Sequence, residues 1–451
     1  MKTAIIIANE RKSKIESHRP TVLHRIIDKP MIEKIVDNFI DLNFDNIISV
    51  IDYDKEKIVD CLKDKSKYRM ISESVADLKA LSSLEDLKGI EGYTIVTHGN
   101  TPLITKETYS LLLETVKDFP MVVLTTYADR YNGYDIIVRN PARTLRSIIK
   151  YEDSTPDQKA IKEVNMNIYA FNNKLLFEYI EKLEAKNKDY DFKDLVELFK
   201  ADGHRVMPIK IDDYYQAIRV STRKDLVIAN EWERDRINDY WLDNGVTILS
   251  SKTTRIGSDV KIGNDTVIYP NNYITGKTII GNDNILESDN KITNSIIGDK
   301  NQIERSIINK SEIKDNNNIG PWANIRENVK IGSGNRVGSN VELKKTEIKD
   351  HNAIAHNVYL GDTVMQSHNN IGWGVVTANY DGLKKSQTTI GDNSFIGSST
   401  TIIAPVNIGS KVVVAAGSVI TEDVEDNALA IARGRQTNKP GLGKTYLERE
   451  E

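Results

Sequence analysis

Aliphatic residues recur at every sixth position through much of the second half of the chain, and that spacing excludes most ways of folding it. Ile256, Ile262, Ile268, Ile274, Ile280, Leu286 and Ile292 form one run. The spacing resumes with shifted phase through Ile319, Ile325, Ile331, Val337 and Leu343, and again through Ile390, Ile396, Ile402, Ile408, Val414 and Ile420. A helix repeats at about 3.6 residues and a strand at about 2, so neither accounts for it. Three hexads close one triangular coil, with one aliphatic side chain per hexad pointing inward and stacking on its equivalent in the next coil. A β-sandwich would alternate with period two at irregular intervals instead. The spacing therefore predicts a left-handed parallel β-helix of hexapeptide repeats from about Arg255 to Arg433.

Glycines follow the aliphatic positions directly, at Gly257, Gly263, Gly281, Gly298, Gly320, Gly332, Gly338, Gly391, Gly397 and Gly409, where tight corners are expected to favour a residue without a Cβ. The largest break in phase lies between Gly372 and Ile390. An insertion in a solenoid must loop outward, and this one carries Asn379, Tyr380, Lys384 and Lys385, which makes it a candidate functional loop.

The first half has a different pattern. AIIIA, NIISVI, TIVTHG and MVVLTTY are strand-like, and amphipathic stretches such as PMIEKIVDNFIDL lie among them, an α/β pattern with a mostly parallel sheet. A helical segment from about Lys224 to Leu242 leads into the repeats. A chain of 451 residues exceeds what one core usually organises. The expected division is 1–225 for the α/β domain, 226–250 for a linker helix and 251–451 for the β-helix with its tail.

With 61 Lys plus Arg against 65 Asp plus Glu, the net charge of −4 offers no general field for nucleic acid, so an anionic substrate needs local cations. No apolar run reaches the length of about 18 residues needed to span a bilayer, and the apolar start is too short for a signal peptide. Cys61 is the single cysteine, which excludes an intrachain disulfide and a cysteine metal cluster and fits a cytoplasmic protein.

The second half contains, in order, GPWANIR, VELKK, HNVYLGD, NNIGWG, NYDG, FIGSST, IIAPV, VAAGSVIT and ALAIARGRQ. With these segments the chain resembles, over nearly its whole length, the bifunctional N-acetylglucosamine-1-phosphate uridylyltransferase / glucosamine-1-phosphate N-acetyltransferase family of bacterial cell-wall precursor synthesis. The resemblance implies a homotrimer with acetyltransferase sites at subunit junctions, and acetyl-CoA and an amino-sugar phosphate as substrates. By position it implies His356 as the general base and Arg326, Lys344, Tyr359, Asn370, Asn379 and Lys385 as the amino-sugar phosphate site. It likewise implies Tyr380, Ser398, Ala416 and Arg433 as contacts of acetyl-CoA.

The chemistry asks for the same residue types. An amine attacks a thioester only when unprotonated, and an unperturbed histidine, at about 6.5, titrates where it can take that proton. Arg and Lys supply charge-assisted hydrogen bonds to a sugar phosphate and to CoA. His351 and His368 match no metal-ligand spacing and receive no role. Trp373 stands where the family has a small residue beside the acetyl group, so its indole either fills or reshapes the acyl slot.

The first domain departs from the family pattern at its site. Where the family has a G-x-G-T-R-M loop, this chain has Glu10, Lys12 and Lys14, and Thr21 replaces a phosphate-binding lysine. The uracil-reading positions hold Ser74, Ala76 and Asp77. Asn100 and Ser221 replace the two magnesium ligands, Asp135 replaces a glycine, and Lys150 replaces a sugar-binding glutamate. Asn165 and Pro102 are retained. A neutral amide and a hydroxyl hold magnesium poorly, so this domain is expected to be inactive. Three readings follow: an acetyltransferase that has lost uridylyl transfer, a fully bifunctional enzyme, and a non-catalytic regulatory paralogue that binds a sugar nucleotide or a partner protein.

Overall fold

A computed structural model describes residues 1–8, 14–51, 54–70, 77–82, 84–128, 134–186 and 190–447. The chain forms two compact units, Met1–Glu233 and Arg234–Glu451. Among the described residues no helix is long and apolar enough to cross a membrane.

The first unit is built on a nine-stranded sheet. Its central strand, Lys2–Ala8, pairs in parallel with Asn46–Ile51 on one side and Tyr93–His98 on the other. Because successive side chains point to opposite faces, Ile5 and Ile7 enter one core while Ala4, Ile6 and Ala8 enter another. Helices cover both faces. Met31–Asp41 buries Ile32, Ile35, Val36 and Phe39, the i, i+3, i+4, i+7 stripe of an amphipathic helix. On the other face Phe192–Ala201 buries Leu195, Val196 and Phe199, and Asp191 and Asp194 cap its start reciprocally. The sheet was expected to be mostly parallel, and it takes an antiparallel member, Glu163–Asn172, between Tyr93–His98 and Met121–Tyr127. Loops at the carboxyl ends of the parallel strands, where open α/β sheets bind ligands, carry Asn100.

The second unit is a left-handed parallel β-helix with three walls of 11, 10 and 9 short strands. Every predicted hexad residue, from Ile256 to Ile420, lies in one continuous core. Burying each such side chain contributes about 1.5–3 kcal/mol, and the column exists only because coils stack. The phase shift after Ile292 has a simple cause. Ile292 pairs with Ile308 and Ile297 with Ile313, so the coil there is 16 residues long, whereas Ile256 pairs with Ile274, 18 residues on. Three shortened steps, Ile292 to Ile297, Ile303 to Ile308 and Ile308 to Ile313, thus shift the phase without interrupting the stack.

The break before Ile390 is smaller than the spacing predicts. Val376–Ala378 continues its wall, and Thr377 fills the core position with a hydroxyl that accepts from Gly361 N at 2.8 Å. Only the following segment leaves the wall, as a small hairpin in which Tyr380 pairs with Lys385 and Ser386 N donates to Asn379 O. Beyond it Met365 pairs with Ile390, and neighbouring residues bond across 25 positions.

Corner backbone groups are satisfied by a buried ladder. The Asn284 side-chain oxygen accepts from the backbone N–H of Asn301, Asn301 from Asn317, Asn317 from Asn335, Asn335 from Asn352, and Asn352 from Asn369. Leaving one such group unsatisfied costs about 1–3 kcal/mol, which is why corners otherwise made of small polar residues hold so many asparagines. The glycines serve a different purpose from the one expected. Those after aliphatic positions, Gly320 apart, have no positive φ; a Cβ at Gly281 would lie 2.1 Å from Asp299 Oδ1 and one at Gly298 2.2 Å from Asp315 Oδ1. Close approach of the next coil, rather than chain reversal, requires them. The first coil is closed by helix residues of this unit: Ile237 and Trp241 pack on the core, and Asn238 Nδ2 donates to the Ser251 and Thr254 carbonyls.

Candidate active site

The repeat places the predicted residues on two edges of the β-helix. Along the first edge, Gly374 N donates to His356 O, Ser399 N to Trp373 O and Gly417 N to Ser398 O. His356, Trp373, Ser398 and Ala416 therefore stand one above another, coil by coil. At about 4.8 Å per step the edge runs for roughly 14 Å, long enough for an extended ligand. At its upper end Arg433 Nη1 donates to Ala416 O at 2.9 Å. His356 is exposed, and so is Trp373 at 53%. The indole thus stands between the predicted base and the predicted CoA contacts.

On the second edge, Asp362 N donates to Lys344 O and Lys345 N to Glu327 O. Arg326 Nη1 pairs with Glu342 Oε1 at 2.8 Å, and Lys344 Nζ lies 3.9 Å from Glu327 Oε1. The hydrogen bond to Glu342 holds Arg326 even further above neutrality than a free guanidinium, so it is a fixed cation. Tyr359 lies one coil above Glu342, and its phenol is raised mainly by burial and then by the Glu342 charge. Tyr359 hydrogen-bonds Asn379, whose amide donates to Asp362. A Cβ at Gly361 would lie 2.6 Å from Tyr359 Oη and 2.8 Å from Asn379 Nδ2, so only glycine fits beneath this pair.

The strand Tyr359–Gly361, roughly 10 Å long at about 3.3 Å per residue, joins the two edges. It leaves a face with cations at one side and a histidine at the other. Arg326, Lys344, Tyr359 and Asn379 are thus brought together, and His356, Ser398, Ala416 and Arg433 line up. Three residues lie apart: Asn370 is on the neighbouring wall between Ala353 and Phe395, and Tyr380 and Lys385 stand exposed on the hairpin. Glu342 and Asp362 belong to the site but escape the motif reading. The signal for them was an acidic residue one coil from each cation or amide.

In the first unit Asn100 and Ser221, which stand where the family resemblance implies magnesium ligands, are engaged with the protein itself. Asn100 Nδ2 donates to Val220 O at 3.2 Å and Val220 N to Asn100 O at 2.8 Å. The Ser221 hydroxyl donates to the Asp225 carboxylate, which also accepts from Ser221 N and Thr222 N. Among the described residues no group of three His, Cys, Asp or Glu side chains gathers at one place. Asp135 is raised by burial, Lys14 and Lys150 are exposed, and Thr21 is buried. Asn165 Nδ2 donates to Asn167 and Tyr169. Glu10, Lys12, Ser74, Ala76 and the side chain of Asp77 lie outside the described residues.

Residues 310–345 match the family described as bacterial transferase hexapeptide (six repeats), and residues 387–422 that described as hexapeptide repeat of succinyl-transferase. Coils and matches together define a hexapeptide-repeat transferase, an enzyme of the acetyltransferase kind. The chain is 35% identical over 442 residues to the bifunctional protein GlmU of Exiguobacterium sibiricum, covering 97% of this chain and 98% of that one. With the GlmU of Staphylococcus epidermidis it shares 37% identity over 446 residues, covering 98% and 99%. The chain belongs to the bifunctional GlmU family. A solved 4-diphosphocytidyl-2C-methyl-D-erythritol synthase from Anaerococcus prevotii is 22% identical, with a TM-score of 0.38, over 52% of this chain and 98% of that one.

Proposed function

We propose that the second unit transfers the acetyl group of acetyl-CoA to the amine of an amino-sugar phosphate, glucosamine-1-phosphate, and that the first unit no longer performs uridylyl transfer. The product would enter UDP-N-acetylglucosamine and cell-wall precursor synthesis in the cytoplasm. The observation that carries this reading is the single face on which the Arg326 and Lys344 cations and the His356 edge are joined by one strand.

With its phosphate at Arg326 and Lys344, the sugar directs its amine toward His356. His356 takes the ammonium proton and releases it to solvent, the free amine attacks the thioester carbonyl, the C–S bond breaks, and the second proton that the nitrogen loses on becoming an amide passes to the CoA thiolate. The edge through Ser398, Ala416 and Arg433 supports the extended CoA. Thiol release from acetyl-CoA, assayed with glucosamine-1-phosphate beside glucosamine-6-phosphate, tests reaction and acceptor together; release with neither compound defeats the reading. Arg326→Ala is expected to raise KM for the acceptor tenfold or more with a smaller change in kcat, since it removes a charge-assisted contact made before the reaction as well as during it. An unchanged KM would take the phosphate away from this edge.

The enzyme is proposed to act as a homotrimer. Phe395, Val413 and Leu429 form a row of exposed apolar side chains up one wall, beside Asn370, and a second copy packed there would cover them and approach the open face. Sedimentation of the full chain should give three copies; a stable monomer would remove the shared site. A regulatory paralogue is the second reading, favoured by the exposed indole of Trp373 on the catalytic edge. Activity absent from the wild type but gained in Trp373→Ala would select it.

A further inference from the structure

The β-helix carries a groove that the proposed acetyl transfer does not use. It follows the corner from which the strands Glu312–Ile313, Lys330–Ile331 and Glu347–Ile348 set out, and it encloses about 520 Å³. This wall is a different one from that bearing Phe395, Val413 and Leu429. Lys310, Lys330 and Lys345 border the groove, and the repeat fixes their spacing. Asn328 N donates to Lys310 O and Lys345 N to Glu327 O. Lys310 and Lys345 therefore stand on one corner two coils apart, roughly 10 Å at about 4.8 Å per coil. Lys330 lies on the wall in the coil between them, in register with Glu312 on one side and Glu347 on the other.

The floor is closed, and its polar groups are already satisfied. Ser311, Val329 and Thr346 are buried there. Ser311 Oγ donates to Arg326 O at 2.6 Å and Thr346 Oγ1 to Leu360 O at 3.0 Å. The shape of the groove is thus set by the stacked coils before anything enters it. Its rim is not satisfied in the same way. All three lysines are exposed, and among the described residues no carboxylate lies within ion-pair distance of any of them. The carboxylates close to this corner are engaged elsewhere: Glu342 with Arg326, Glu327 beside Lys344, and Glu347 with Lys349. The Lys349 hydrogen bond is the main cause that holds Glu347 below the usual carboxylate range. Of the carboxylates lining the groove, that leaves Glu312 to answer three ammonium groups. Three positive charges against one negative give an excess of two, in a chain whose net charge is −4.

We propose that this groove binds a linear phosphate anion, a diphosphate or longer. Ammonium groups serve as point charges for phosphate oxygens, and here they surround a preformed concavity of small-molecule size. A single phosphate is shorter than the two-coil span, so it would have to draw the lysines together against their mutual repulsion. Linked phosphates place negative charge at both coils at once. The site is distinct from the cations assigned to the acceptor, because Arg326 and Lys344 end strands of the wall on the other side of the corner. The proposal does not depend on acetyl transfer.

Titration calorimetry of the full chain with inorganic pyrophosphate, in EDTA and at fixed ionic strength, tests it. A binding site is expected that weakens tenfold or more when Lys310→Gln, Lys330→Gln and Lys345→Gln are combined, and by less in Lys330→Gln alone. Arg326→Ala should leave it intact. Orthophosphate should bind at least tenfold more weakly, and sulfate at matched ionic strength should not displace pyrophosphate. The exposed, unpaired state of the three lysines predicts that the variants keep the fold, which circular dichroism checks. Binding unchanged in the combined variant, lost in Arg326→Ala, matched by orthophosphate or sulfate, or absent at millimolar pyrophosphate overturns the proposal.

Discussion

Replacing His356 with alanine should lower kcat for acetyl transfer by roughly a hundredfold to ten-thousandfold, the range for loss of a positioned general base. The histidine is exposed on the edge it shares with Trp373, Ser398 and Ala416. Its backbone, rather than its ring, accepts from the coil above, so the substitution leaves the stack intact. CoA binding, measured by titration, should therefore stay nearly unchanged while turnover falls. Undiminished turnover in the variant would mean that the amine loses its proton by another route.

The second large effect is an absence of reaction. Purified protein should release no pyrophosphate from UTP and N-acetylglucosamine-1-phosphate at any magnesium concentration. Asn100 is an amide bonded to Val220 O, and the Ser221 hydroxyl is committed to Asp225. Neither brings the charge that holds a hard divalent ion. Loss of a single preorganised electrostatic contact typically costs about a hundredfold to a thousandfold in rate, and under the proposed reading both expected ligands of the ion are replaced. Steady pyrophosphate release, with host enzyme excluded, would show that the site has been rebuilt rather than lost.

Much of the second unit is legible in the sequence because the hexad is a direct record of its core: each named aliphatic residue is buried where the period places it. Legibility fails where length or chemistry deviates. The 16-residue coils after Asn290 look like a lost phase, although Ile297, Ile303, Ile308 and Ile313 continue the core without a gap. Thr377 hides a complete strand because a hydroxyl takes the place of an aliphatic group, and only the structure shows it bonded to Gly361. The corner glycines are visible as a pattern, but their reason, proximity of the next coil, is not local in sequence. For the same reason the motifs expose Arg326 and Asn379 but not Glu342 and Asp362, which hold them from neighbouring coils. In the first unit the α/β alternation is readable, whereas the antiparallel strand Glu163–Asn172 depends on pairing across the sheet.

The hairpin bearing Tyr380 and Lys385 leaves its wall after Ala378, and the chain enters the next wall with Thr388 opposite Thr363. The coils before and after it keep their register, so its length and composition are uncoupled from the scaffold. Doubling such a loop costs only about 0.6 kcal/mol in closure entropy. Lys385 therefore sits on an interchangeable part: this segment can be shortened, extended or exchanged while no buried isoleucine changes its neighbours. A protein built this way can vary one surface segment without having to solve the folding problem again.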